Sequence, residues 1–438
     1  MTLFGLDEAV VTSLTAGVRP ATAEPGERRS GDPAATDAHP ADPQPADPGE
    51  VFARAAWSTI AEPGDGVAGA VVELLGAAAA LRSVVEAWPP DRLAGALTDT
   101  ADASEAGDPA GLRPELEQAL ARWRPRLSST EVIRSLQQAR RTGTALLLPS
   151  DPLWPVGVGD LERHAPLALW WRGRTDALAA LRHSIALVGA RAATGYGEHV
   201  ALEAAAGLVD RGLAVVSGAA YGIDGMVHRS ALASNGTTVA FLAGGVDRFY
   251  PSGHDALLNR IVETGAVASE VPCGVPPTKW RFLQRNRLIA AASQATVVLE
   301  AGWRSGSLNT AGHAGTLGRP LGAVPGPVTS AASAGCHRLI REFSAVCVTN
   351  ADEMAELAPL EPAALRQAQI SEHHSDESRL ADALSARSPR DATDLARRSG
   401  LSVATVQALL GTIELEGRVR ENERGWLRVD PKAEKPLA

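Results

Sequence analysis

Ser184-Ile-Ala-Leu-Val-Gly-Ala-Arg-Ala-Ala-Thr-Gly-Tyr-Gly197 is the stretch whose pattern sets out the plan of the chain. An uncharged apolar run comes first, as a strand buried on both faces requires. A glycine-rich turn follows, and from 197 to 211 the apolar residues recur at helical spacing. The same sequence of strand, turn and helix then repeats down the chain. Strands are expected at 214–216, 237–242, 266–269, 295–299 and 321–324, with helices at 225–235, 255–264, 285–293 and 308–317. Short apolar runs separated by helices predict an α/β fold with a Rossmann-like, doubly wound, mostly parallel sheet. Ligands of such sheets lie beyond the carboxyl ends of the strands, so the turns that follow the strands are the places to look for chemistry.

Five of those turns stand out. In Gly189-Ala-Arg-Ala-Ala-Thr-Gly-Tyr-Gly197, glycines let backbone amides approach an anion, the following helix adds positive potential, and Arg191 is a bidentate phosphate donor. The alternative is a turn used only for close packing. The segment lacks the Gly-Lys-Ser/Thr of a P-loop and does not fit the dinucleotide G-x-G-x-x-G spacing. The second turn, Ser217-Gly-Ala-Ala-Tyr-Gly-Ile-Asp-Gly-Met-Val-His228, offers Gly218 as a further close-approach glycine and sets Asp224 and His228 on one helix face. They read either as an acid/base pair or as a helix-capping carboxylate beside a bonded interior histidine. The third, Gly244-Gly-Val-Asp-Arg-Phe-Tyr-Pro251, supplies turn formers.

The fourth, Lys279-Trp-Arg-Phe-Leu-Gln-Arg-Asn-Arg287, interleaves basic and aromatic residues. Single-stranded nucleic acid asks for that pattern: charge for its backbone and flat rings for its bases. On this reading Lys279, Trp280, Arg285, Asn286 and Arg287 face the ligand, against the alternative of a solvated helix start with Phe282 in the core. The fifth, Glu300-Ala-Gly-Trp-Arg-Ser-Gly-Ser-Leu-Asn-Thr-Ala311, opens a helix with Ser305, Gly306 and Ser307 as another anion cradle. A nucleophilic role for either serine lacks a base and the G-x-S-x-G context. No catalytic residue, metal site or cofactor is therefore assigned.

Composition bounds the rest. The chain has 438 residues and a net charge of −9, which argues against a nucleic-acid ligand until its distribution is seen. Residues 1–150 carry 13 Lys/Arg against 21 Asp/Glu, whereas residues 184–348 carry 13 against 10. A mildly basic centre sits beside an acidic flank. Cys273, Cys336 and Cys347 are widely spaced, which supports neither a zinc site nor a disulfide framework and fits a reducing, cytoplasmic compartment. The first residues have early acids and no basic segment, unlike a signal peptide, and no long uncharged apolar run suggests a membrane span. Residues 1–142 are expected to form a helical domain. Seven prolines between 18 and 49 mark a disordered insertion there, and 89–110 is read as a second link. The core is placed at 143–350, a linker at 351–375 and a tail at 431–438. Between them, 376–430 reads as a helix, a turn at 399–402, a second helix at 403–416 and a hairpin: a winged helix. That last region has 9 arginines against 10 acids, and its second helix has no basic residue, so a protein contact is favoured over reading of duplex DNA.

Residues 145–348 resemble the DprA/Smf family. The resemblance rests on Ser217-Gly-x-Ala-x-Gly-Ile-Asp-x-x-x-His228, Tyr250-Pro251, Ser269-Glu270, Pro276-Pro277, Arg285-Asn-Arg-Leu-Ile289, Ser305-Gly-Ser-Leu-x-Thr-Ala311 and Ala323-Val-Pro-Gly326. It implies single-stranded DNA binding, a homodimer, and delivery of DNA to a RecA-type recombinase, without catalysis. Arg191 corresponds to the arginine of the family's first turn, and Arg285-Asn286-Arg287 to its arginine–asparagine segment. Ala190, Thr194, His254 and Leu283 depart from the residues usual there. The rival is a nucleotide-processing hydrolase of the lysine-decarboxylase-like Rossmann group. Its Pro-Gly-Gly-x-Gly-Thr-x-x-Glu segment has no counterpart at Ser305-Gly-Ser-Leu-Asn-Thr-Ala311.

Overall fold

Nine strands form one sheet: β1 (Ala145–Leu147), β2 (Leu169–Gly173), β3 (Ser184–Gly189), β4 (Ala214–Ser217), β5 (Thr238–Phe241), β6 (Ala266–Ser269), β7 (Ala295–Glu300), β8 (Leu321–Ala323) and β9 (Val346–Cys347). This computed structural model describes residues 4–19, 47–100, 109–358, 379–385, 388–415, 418–422 and 425–429. The strand order is β1-β2-β6-β5-β4-β3-β7-β8-β9. From β6 to β9 every neighbouring pair is parallel, and β2 joins β6 and β1 antiparallel. After β3 the chain winds outward through β4, β5 and β6, then returns to lay β7 on the other side of β3. The point where the winding reverses lies between β3 and β7.

A short helix α8 (Thr175–Ala179) precedes β3 and α11 (Asp255–Thr264) precedes β6, and three helices carry the turns of interest: α9 (Gly195–Asp210), α10 (Ile223–Ala233) and α13 (Ser307–Thr316). A fourth, α12 (Lys279–Ala292), begins six residues earlier than the pattern suggested. The Thr278 side chain accepts the Arg281 amide at 3.3 Å, so the interleaved basic–aromatic segment is the first turns of a capped helix and not a loop. The sheet also gains β1, β2 and β9, which are too short or too irregular in pattern to be read beforehand.

The helical N-terminal region comprises α1 (Glu8–Ala16), α2 (Pro48–Ile60), α3 (Gly66–Leu75), α4 (Ala77–Val85), α5 (Pro90–Thr100), α6 (Pro109–Trp123) and α7 (Ser129–Thr142). Trp57 and Trp123 meet edge to face at 5.1 Å in its centre. The segment read as a second link holds α5, with Pro90 at its first position, where a missing N–H is harmless. Most of the expected disordered insertion, 20–46, lies outside the described residues. Its ends are structured: Val18 is buried, Arg19 pairs with Asp151, and Pro48 begins α2. No separate domain ends at 142. Phe52, Trp57 and Leu120 belong to the same apolar cluster as Leu242, Val246 and Leu258 from the sheet side. Met1–Ala358 is one unit. The expected linker likewise begins with a short helix, Ala351–Ala355, whose Met354 is buried.

The second unit, Pro359–Ala438, has a helix at Ala392–Ser399, a second at Val403–Leu415, and a hairpin of Val419–Asn422 with Gly425–Arg428. Leu395, Val406, Leu410, Ile413 and Val419 form its core. Among the described residues no single helix is long and apolar enough to cross a membrane.

Candidate nucleic-acid interface

The carboxyl ends of β3 and β7 open onto a cleft of about 840 Å³. One wall is the turn Gly189–Ala192, another is the start of α12 with Lys279, Phe282 and Asn286, and a third is the loop Gly302–Ser307. All five turns singled out in the sequence contribute to its lining, the second through Ala220 and Asp224 and the third through Tyr250.

The first turn is held in place from below. Glu300, buried at the end of β7, accepts the Thr194 amide at 2.9 Å and its hydroxyl at 2.5 Å. The Glu300 carbonyl accepts the Ala190 amide at 2.8 Å. Thr194 in turn accepts the Gly197 amide at 3.1 Å and caps α9. This fixes Arg191, which is exposed, with its guanidinium 5.0 Å from the centre of the Phe282 ring. Tyr250, half exposed, tilts against the same ring at 5.6 Å. Phe282 and Tyr250 were not assigned to the site from sequence. Their signal was spacing: Phe282 lies one helical turn after Lys279 and so shares its face.

Arg285 lines the cleft but turns its guanidinium donors to the protein. It is 6% exposed. Its Nη1 donates to the carbonyls of Gly218 at 2.5 Å and Phe241 at 2.7 Å, and its Nε to Asn286 Oδ1 at 3.2 Å. A Cβ on Gly218 would collide with that guanidinium. Gly218 is thus a socket for Arg285 and not a phosphate-approach glycine, which corrects its expected role. Burial pulls the Arg285 pKa down to about 10, against the opposing charge of Asp224. Burial also pushes the Asp224 carboxyl up, although Arg285 and the backbone amides of Ala220, Gly218 and Gly189 pull it down. Both shifts follow desolvation, the larger cause for each group.

Arg287 leaves the cleft altogether. Its guanidinium, 3% exposed, pairs with Glu270 at 2.7 Å on the side facing the N-terminal helices. Glu270 also accepts the Gly64 amide at 3.2 Å. The phosphate contact expected of Arg287 is overturned by the geometry of α12, because Arg285 and Arg287 point to different faces. Arg281 is spent similarly: Glu62 takes two of its donors, at 2.9 and 3.0 Å, and also pairs with Arg126. Burial alone would raise the Glu62 carboxyl, but the two guanidiniums outweigh it and hold it below its usual range. Of the four basic residues in this segment only Lys279 is exposed, and it lines the cleft. Trp280 beside it is 56% exposed, and the lining includes Lys279, Phe282 and Leu283 but not Trp280.

On the third wall Ser305 and Ser307 hydroxyls meet each other at 2.7 Å at the start of α13, with Gly306 in the N-cap position. The Asn286 amide donates to Asn309 at 3.1 Å and ties α12 to α13. Asp224 and His228 form no acid/base pair open to a substrate. His228 is fully buried and bonds Thr238 Oγ1 at 2.7 Å. Thr238 gives its one hydroxyl proton to the Val215 carbonyl at 2.8 Å, so His228 Nδ1 carries the proton. Nor does Asp224 cap α10; Gly222 holds that position, and Asp224 accepts the Ala220 amide of the preceding turn at 3.4 Å.

With the geometry in hand, comparison with known proteins is informative. A family model described as DNA recombination-mediator protein A matches residues 145–359, and one described as the DprA winged helix domain matches 361–423. A protein of Mycobacterium tuberculosis (strain H37Rv) named as a DNA processing protein DprA is 47% identical over 310 residues, covering 66% of this chain and 78% of that one. The chain belongs to the DprA/Smf family. The DprA of Streptococcus pneumoniae (strain R6) is 38% identical over 206 residues, 47% of this chain and 72% of its own length. The X-ray structure of DprA from Streptococcus pneumoniae covers 72% of this chain and 99% of that one, with a TM-score of 0.55 at 25% identity. Family membership extends to the C-terminal unit, where the winged-helix match spans both helices and the first hairpin strand, Val419–Asn422.

Proposed function

We propose that this chain binds single-stranded DNA through the cleft between β3 and β7 and mediates its transfer to a RecA-type recombinase in DNA recombination of the transformation type. The observation that carries this reading is Arg191, held exposed over the Phe282 ring at the mouth of a cleft whose other walls are Lys279 and the Ser305–Ser307 helix start. A phosphate meets a guanidinium, an ammonium and backbone amides there, and a base meets a ring. Gly189, Arg191, Lys279, Asn286, Ser305, Gly306 and Ser307 contact the strand. Trp280 offers a further ring at the edge, and Arg285 shapes the floor. Among the described residues the Ser305 and Ser307 hydroxyls bond each other, and His228 is buried against Thr238; on this reading the protein acts by binding, with no bond cleaved. It works in the cytoplasm as a homodimer, with two clefts serving one strand.

Membership of a recombination-mediator family supports this assignment, and so does the absence of basic residues from the second helix of the winged helix, Val403–Leu415. The deciding experiment is a salt titration of oligonucleotide binding. A single strand should bind more tightly than the corresponding duplex, with little sequence dependence, and affinity should fall as salt rises. Equal affinity for both forms at physiological salt would overturn it. A second assay, incubation with nucleoside monophosphates, should release no free base.

A further inference from the structure

Beyond Arg191 and Phe282, the third wall of the cleft carries an aromatic residue of its own. Trp303 lines the cleft on the loop that follows β7, and its ring is 53% exposed. It is not loose: the Arg338 guanidinium, on the helix Ala334–Glu342, lies 5.0 Å from the centre of that ring and 5.3 Å from the centre of Phe343. Arg338 is itself anchored, its Nε donating to Glu342 at 2.9 Å. A guanidinium thus holds the ring in place at the wall of the cleft while about half of its surface stays open to a ligand. We infer that Trp303 is a second base-stacking platform, which takes a nucleobase of a single strand whose phosphates run past Arg191 and Lys279.

The inference rests on the reading of the cleft as a single-strand site and adds to it a residue and a direction. The strand leaves the cleft across Trp303 towards Arg338. The guanidinium lies over one face of the ring, so a base would stack on the other. Glu342 offsets part of that charge, so the platform contributes chiefly through stacking and not through phosphate neutralisation. Arg304, exposed on the same loop, supplies the charge beside it. Stacking tolerates any base, in keeping with a mediator that must accept any sequence.

The test uses the full chain and two single strands of equal length, one ordinary and one lacking its bases. Trp303→Ala should weaken binding of the ordinary strand roughly ten-fold to a hundred-fold, the range of one lost stacking contact. It should leave the salt slope and the melting temperature unchanged, and Trp303→Phe should restore most of the affinity. On the base-free strand Trp303→Ala should bind like the unmodified protein, whereas Arg191→Ala should bind both strands more weakly. Unchanged affinity of Trp303→Ala for the ordinary strand, while the unmodified protein binds it, overturns the platform and leaves the cleft standing. Failure of the unmodified protein to bind any strand overturns the cleft itself. A shift of Trp303→Ala to a different oligomeric state in sedimentation, with per-subunit affinity intact, would assign the face to contact between copies and overturn the inference.

Discussion

At the residue scale, the arginines of the family segment separate into distinct kinds. Arg191 is exposed and tethered through its loop, so Arg191→Ala should weaken single-strand binding uniformly across sequences and lower the salt slope by about 0.7. Oligonucleotide titrations at several salt concentrations check both. Arg285→Ala should behave otherwise. It removes the donors to the Gly218 and Phe241 carbonyls and leaves Asp224 buried without its counter-charge. The expected cost is on the order of 3–5 kcal/mol of stability, read by denaturant melts, with binding lost as a consequence. Trp280→Ala should leave the melt unchanged, since the ring is exposed, and cost on the order of 1–3 kcal/mol of binding where the ring stacks on a base. Sequence spacing could not separate Arg285 from Arg287. Residues two apart on a helix face different ways, but which face is the ligand's depends on what packs behind it.

At the scale of single elements, α10 carries one source of the protein's acid sensitivity. Burial holds the His228 imidazole down at about 3, against 6.5 when free. Its folded pKa is depressed, so between those values the unfolded chain binds the extra proton. The stability tied to neutral His228 is complete above about pH 6.5 and drains away as the pH falls towards about 3, on the order of a few kcal/mol in all. Asp224 has the opposite sign, its raised pKa favouring the folded state as acid is added. Comparison with His228→Gln isolates the histidine: the variant's melting temperature should fall less steeply across that window. Six strands and the helix at 255–264 were legible from apolar runs between glycine turns, because a strand buried on both faces leaves no polar positions to confuse the pattern. The start of α12 was not. Pro276-Pro277 and the mixture of charges and rings masked a helix that Thr278 caps. Nor was Glu300 assigned a role, since nothing local distinguishes a buried carboxylate that holds a loop from one that performs chemistry.

At the scale of the whole molecule, the winged helix has its own core, and the described residues that line the cleft all belong to the first unit. Residues 1–358 alone should therefore melt cooperatively and retain single-strand affinity within a few-fold. Circular dichroism and the same titration check this, and loss of binding would place part of the site in the C-terminal unit. The split into helical region, sheet and winged helix was legible in composition, but the boundary at 142 was not a physical one. Apolar periodicity reports which face of a helix is covered and is silent on what covers it.

That shared core has a further consequence. A chimera that exchanged residues 4–142 for the helical region of a distant relative would inherit only half of a jigsaw. Leu242, Val246 and Leu258 would face side chains shaped for another partner, and the Glu62 and Gly64 contacts to Arg281 and Glu270 would go with them. Such an exchange should therefore lower the melting temperature of the sheet region itself, whereas exchange of the winged helix, which has its own core, should leave that melt unchanged.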